Sequence, residues 1–209
     1  MRIAMDRRVW PGALVFAFLL LVTGFVYKPY AIPASFLLLS QFAFFRDPQR
    51  KIPEGGGLVS PADGKVVEIS PVFENRFLKE EAVKVGIFLS VFVPHVNRTP
   101  VDGLVRYLHY EPGAFLNALR RDSINKNESN WIGIEGGNKR VLFRQMSGAI
   151  ARRICCDVKL GQPVKRGEKV GIICYGSRVE CFFPKRSFQL RVRLGDGVKA
   201  GETILGEWV

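Results

Sequence analysis

From Trp10 to Tyr27, and again from Tyr30 to Phe45, the chain runs without a charge. The polar residues within these stretches, such as Thr23, Ser35 and Gln41, are ones that a lipid-facing helix accepts. At about 1.5 Å of rise per residue the first run reaches about 27 Å and the second, which contains Pro33, rather less, against a hydrocarbon core of about 30 Å. Lys28-Pro29-Tyr30 interrupts them, which predicts a membrane-anchoring helical hairpin over residues 1–45. Arg2, Arg7 and Arg8 precede the hairpin, and Arg46, Arg50 and Lys51 follow it. Basic flanks on both sides put both ends on the cytoplasmic face of the cell (inner) membrane, and with them everything beyond residue 45. Two placements satisfy this pattern, a spanning pair and a pair lying in the interface. A cleaved signal peptide fits less well, because a second apolar run follows at once with no small-residue cleavage site between them.

Composition narrows the rest. At 209 residues with 47% hydrophobic and 24% charged, the chain has enough apolar material for one core and is no disordered tail. Its net charge is +12. Residues 1–45 hold four of the basic residues and one of the acidic ones, so the remainder carries +9 and is drawn to anionic lipid or a phosphorylated substrate. A nucleic-acid module would interleave aromatic with basic residues on one surface. The aromatics here concentrate in the hairpin and in strand-like runs, so no nucleic-acid partner is expected.

Beyond Asp47-Pro48 short β-type runs alternate with glycines: Lys65–Ile69, Val83–Leu89, Arg140–Phe143 and Phe188–Leu194. The expectation is a mainly β domain over 46–209, a compact sandwich or barrel-sandwich, with one helix from about Pro112 to Arg121. Two segments, Gly161–Glu168 and Gly195–Glu202, both fit G-x-x-V-K-x-G-E. Two copies are too few for a solenoid and predict two similar turns joining strands. Such turns also occur in lipoyl- and biotinyl-type domains, but the flanked acceptor lysine of those domains is missing. Cys155, Cys156, Cys174 and Cys181 show no paired C-x-x-C spacing and no histidine cluster, so no metal is expected and they read as small buried hydrophobes.

Three short constellations carry chemistry. In Ser60-Pro61-Ala62-Asp63-Gly64 a proline and a glycine frame one carboxylate, which on its own suits an ordinary type I turn. His95 stands in Pro94-His95-Val96-Asn97-Arg98-Thr99-Pro100, at the end of the apolar run Ile87–Val93, and could be structural or a proton carrier. The second histidine, His109, lies beside Tyr110 and Glu111 and reads as structural. The third constellation is Gly176-Ser177-Arg178-Val179, a turn between two β runs.

Taken with Gly167–Gly171 ahead of it and Phe182-Phe183-Pro184 behind, that third segment resembles the processing site of the phosphatidylserine decarboxylase family in its short bacterial and archaeal form. Ser60–Gly64, His95–Pro100, Asn127-Glu128 and Gly148–Ile154 are similar to that family's other segments, in the same order, and the resemblance runs from about Phe45 to Val209. It implies a proenzyme that cuts itself between Gly176 and Ser177 into chains 1–176 and 177–209, which stay together. Ser177 would become a covalent pyruvoyl group, with no pyridoxal phosphate and no metal, and His95 and Asp63 would serve as its activating pair. The implied reaction is decarboxylation of the serine head group of phosphatidylserine to phosphatidylethanolamine and carbon dioxide through a Schiff base. Arg98 and Asn97 are candidates for binding the phospholipid; where longer bacterial members carry a second histidine, this chain has Arg98. The competing reading is a membrane-anchored β-sandwich adaptor that is never cut. Homo-oligomer formation is left open.

Overall fold

The computed structural model describes residues 3–26, 28–114, 116, 126–148, 153–174 and 177–209. They form two compact units, Met1–Gln49 and Arg50–Val209.

In the first unit β1 (Ile3–Met5) leads into α1 (Val9–Val26), a single 3-10 turn at Lys28–Tyr30 reverses the chain, and α2 (Ala31–Phe44) returns to β2 (Arg46–Pro48), which pairs antiparallel with β1. Pro11 and Pro33 each fall in a first helical turn, where a missing N–H costs nothing. Thr23, Ser35 and Ser40 turn their hydroxyls back onto the carbonyls of Leu20, Ala31 and Leu37, so the helices present no unsatisfied side-chain hydroxyl. Large apolar side chains stand exposed along both, among them Leu14, Phe18, Ile32, Phe36 and Leu39. The two expected helices are therefore present. Among the described residues, however, no helix is long and apolar enough to cross a membrane, and the fourteen residues of α2 rise only about 21 Å.

The second unit is mainly β and contains an internal duplication. An outer module begins with β3 (Leu58–Val59), β4 (Gly64–Glu74) and β5 (Glu80–Leu89). The chain then leaves it to build a whole inserted module: β6 (Val96–Arg98), β7 (Gly103–Glu111), β8 (Ser129–Gly136), β9 (Lys139–Met146), β10 (Arg153–Cys156), β11 (Pro163–Val164) and β12 (Lys169–Cys174). It returns to finish the outer module with β13 (Ser177–Pro184), β14 (Phe188–Leu190), β15 (Gly197–Val198) and β16 (Ile204–Trp208). The main sheet, a curled half-barrel, has the order β11-β7-β8-β9-β13-β5-β4-β15, so the inserted module reads inward to β9 and the outer module reads outward from β13. Two three-stranded sheets, β10-β12-β6 and β14-β16-β3, match in the same way.

The correspondence extends to single hydrogen bonds. Arg98 N–H donates to the Pro61 carbonyl at 2.9 Å, and Val59 N–H donates to the Pro100 carbonyl at 3.0 Å. Val66 and Val105, each at a bulge that tightens the curl, exchange bonds with Gly195–Asp196 and Gly161–Gln162 respectively. Gly167 and Gly201 take the left-handed conformation (φ 79° and 75°) that closes the two V-K-x-G-E turns. The echoed segments thus mark equivalent turns of two copies, following the two edge strands of one sheet.

One core lies within the curl. Val85, Ile87 and Leu89 of β5, Val141 and Phe143 of β9, and Val179, Cys181 and Phe183 of β13 all belong to it, alternating along each strand as a half-buried sheet requires. Burial pushes the Cys181 thiol up, with Glu180 adding to the effect, whereas the other three cysteines are only half-buried. His109 lies in β7. Of the run Phe188–Leu194, only Phe188–Leu190 is strand. The helix expected over 112–121 falls largely outside the described residues; within it, Ala114 forms a parallel bridge with Asn127.

Candidate active site

Both passages of the chain between the modules occur at one end of β5. The outbound passage runs from Leu89, the last residue of β5, to Val96, the first of β6, and His95 ends it. The return passage runs from β12 to β13, and Ser177 is its first residue back in the sheet, paired with Leu89. On the far side of β5, Lys65 pairs with Phe88, so Asp63 and Gly64 enter at the same end. The His95 carbonyl accepts from Ile173 N–H, which ties the outbound passage to the strand that feeds Ser177. Tyr175 and the expected cleavage residue Gly176 lie outside the described residues.

Ser177 is wholly buried, and among the described residues its Oγ has no hydrogen-bond partner. His95 is also wholly buried. Its Nδ1 lies 2.8 Å from the Val93 carbonyl, which can only accept, so Nδ1 carries a proton. Asp63 receives the Arg50 guanidinium at 2.9 and 2.7 Å and a backbone N–H from Ala200. Burial raises the Asp63 carboxyl above its usual range, even though Arg50 and, more weakly, Arg98 pull it the other way. Arg98 gives Nη1 to the Gly167 carbonyl at 3.0 Å. Asn97, wholly buried, accepts from Gln145 at 2.8 Å through Oδ1, while its Nδ2 has no partner.

The duplication separates what is architectural in these residues from what is not. Asp102 occupies the place of Asp63 in the other module, accepting from the backbone N–H of Arg166. Each aspartate therefore fastens its own V-K-x-G-E turn. Asp63 alone of the two is buried and ion-paired to an arginine, so those additions belong to this site. A cleft of about 500 Å³ lined by Gly55–Gly57, Asp102, Gly103, Gly136 and Arg166 lies at the opposite end of the sheet, where the inserted module has its own β8–β9 turn. Asn127 and Glu128 act as scaffold: the Asn127 carboxamide bonds Leu116 and the Ser147 carbonyl, and Glu128 takes the Tyr110 hydroxyl.

Two further groups escaped the motif reading. One is Gln145 with Asn130, whose amides bond at 3.0 Å inside the core. The alternation Val141, Phe143, Gln145 puts a polar residue on an apolar face and was the available signal. The other is a buried ionic cluster on the opposite face of the sheet, in which Arg178 pairs with Glu68 and Glu180, and Lys84 and Arg144 complete the charges. Burial raises the Glu68 carboxyl, but Lys84 and Arg178 outweigh it and leave Glu68 below the usual carboxylate range. The cluster grips β13 immediately after Ser177.

Residues 39–206 match the model of the phosphatidylserine decarboxylase family. The chain belongs to that family. It is 44% identical over 171 residues to a phosphatidylserine decarboxylase proenzyme of Carboxydothermus hydrogenoformans, covering 81% of this chain and 80% of the relative. A proenzyme of the same name from Chlorobaculum tepidum is 43% identical over 199 residues, 92% of this chain and 91% of its own. One from Burkholderia pseudomallei is 40% identical over 207 residues, 96% of this chain and 94% of its own. The family match thus takes in Asp63, His95, Asn97, Arg98 and Ser177 together.

Proposed function

We propose that the chain is a proenzyme that cuts itself before Ser177, and that the product decarboxylates the serine head group of phosphatidylserine to phosphatidylethanolamine. The observation that carries this reading is the buried Ser177 hydroxyl without a partner, at the junction where His95 and Asp63 also enter. A hydroxyl left unpaired in a dry site is free to act as a nucleophile. In this reading His95 Nε2 takes the Oγ proton, the oxygen adds to the carbonyl carbon of residue 176, and the carbon–nitrogen bond breaks as the amine takes the proton. The resulting ester eliminates across Ser177 Cα–Cβ, leaving a free carboxylate on residue 176. Water entering and ammonia leaving then turn residue 177 into a pyruvoyl group. When present, that group supplies a conjugated carbonyl that accepts the electron pair released as carbon dioxide departs. Arg98 and Asn97 remain the candidates for the phosphodiester and carboxylate of the lipid.

The exposed apolar side chains of α1 and α2 support a seat in the membrane interface, and the +9 charge of the remainder supports attraction to an anionic leaflet on the cytoplasmic side. The lipid substrate would then never leave the bilayer. Chains 1–176 and 177–209 would remain associated, because β13 lies between β5 and β9 and carries fully buried side chains.

Intact mass of the purified full-length protein beside Ser177→Ala tests the reading. The expected result is two wild-type species meeting at 176/177, the shorter lighter by the lost ammonia, and an uncut variant. A folded wild type that stays whole would sink it and favour the adaptor.

A further inference from the structure

The duplicated modules hold the same three core positions in two different chemistries. Leu89–Ser177 and Gly136–Lys139 are corresponding end pairs, so six residues along each strand the opposed pair Val83–Phe183 corresponds to the opposed pair Asn130–Gln145. Leu58 faces Gly206 where Asn97 faces Gly171. In the outer module the trio is Leu58, Val83 and Phe183, all packed in the apolar core. In the inserted module it is Asn97, Asn130 and Gln145, all three buried. The backbone arrangement is thus satisfied by apolar side chains at these places. Three buried amides are a cost that the fold does not require.

Their hydrogen bonds run in one direction. Asn130 Nδ2 donates to Gln145 Oε1 at 3.0 Å, and Gln145 Nε2 donates to Asn97 Oδ1 at 2.8 Å. With its oxygen occupied, the Asn97 amide presents Nδ2, and that donor ends the chain buried and unpaired. Among the described residues, Ser177 Oγ is likewise buried and unpaired. Gln145 lies directly opposite Val179, and Ser177 is two residues before Val179, on the same inward face of β13.

We propose that Gln145 and Asn130 orient Asn97 so that its Nδ2–H serves the oxygen that gains negative charge as Ser177 Oγ adds to the preceding carbonyl. Asn97 then touches the reacting atoms, and Gln145 and Asn130 are positioning residues. A donor fixed beforehand in a water-free core meets the developing charge without reorganising. The assignment rests on the self-processing reading above.

The test is the rate of self-processing, followed by intact mass on freshly refolded full-length protein in detergent, with urea midpoints as the control for folding. Asn97→Asp keeps the shape and removes the donor, and it should slow processing about 100-fold. Gln145→Glu adds a pH signature. Its ionised carboxylate cannot donate to Asn97, so the amide turns and presents oxygen to Ser177; once protonated, the carboxyl can donate and restores the orientation. The ratio of variant to wild-type rate should therefore fall as pH rises from 6 to 9. An Asn97→Asp chain that processes as fast as wild type overturns the relay alone. So does a Gln145→Glu ratio that is flat with pH, and that series decides if Asn97→Asp fails to fold. A wild type that stays whole overturns the processing reading and the relay with it.

Discussion

Arg50 and Asp63 form an ion pair whose side chains are 7% and 8% exposed, and removing the arginine gives a prediction whose sign is set by pH. Arg50→Met leaves a buried carboxyl without its counter-charge, a change that costs about 3–5 kcal/mol where the carboxylate must stay ionised. The Asp63 carboxyl already lies above the usual carboxylate range because burial outweighs Arg50, and loss of Arg50 raises it further. For a group raised in the folded state, the favourable contribution is complete below the unfolded pKa and is lost as pH climbs through the folded one. The penalty of Arg50→Met should therefore be small near pH 4 and grow with pH. Between the folded-state pKa of the wild type and the higher one of the variant, its slope is about 1.4 kcal/mol per pH unit for one proton. Urea melts of the full-length chain in detergent, in an uncut Ser177→Ala background at pH 5 and pH 8, measure this directly. A penalty of equal size at the two pH values would show that Asp63 does not titrate against Arg50, and the reasoning would be wrong.

Gly171→Ala should destabilise by about 1–3 kcal/mol or more, since a Cβ there runs into the Cys155 backbone carbonyl and must part β10 from β12; an unchanged urea midpoint would refute it. Replacing Phe18 and Phe36 with aspartate should cut sedimentation with anionic vesicles while leaving self-processing in detergent unchanged, since both side chains are exposed on the apolar helices.

The candidate site residues sit in short contiguous motifs. Asp63 lies between proline and glycine, His95 ends an apolar run, and Ser177 follows a glycine; each suits an ordinary turn or strand end on its own, and the family resemblance is what singled them out. The strands of β4, β5 and β9 were plain from alternation. What failed was whatever depends on distant pairing. Gln145 and Asn97 are 48 residues apart, and nothing local says that their amides meet. Arg50 was counted as a hairpin flank, although its guanidinium pairs with Asp63 within the β unit. The G-x-x-V-K-x-G-E echo was visible, but Ser60-Pro61-Ala62-Asp63-Gly64 and Thr99-Pro100-Val101-Asp102-Gly103 were not joined to it. The outer repeat is split by the insertion of the whole inner copy, which hides duplication from any comparison of contiguous halves.

The nesting of one module in the other gives the cut a mechanical meaning. The inserted module joins the outer one twice along the chain, from β5 to β6 and from β12 to β13. A cut before Ser177 would leave only the first. The insertion would then become a tandem pair whose outer member is completed by a separate polypeptide, a split protein made in place. Such a cut would sever no strand, so the backbone bonds on either side of β13 would survive. Residue 177 would change from a point in mid-chain to a free end held by its pairing with Leu89.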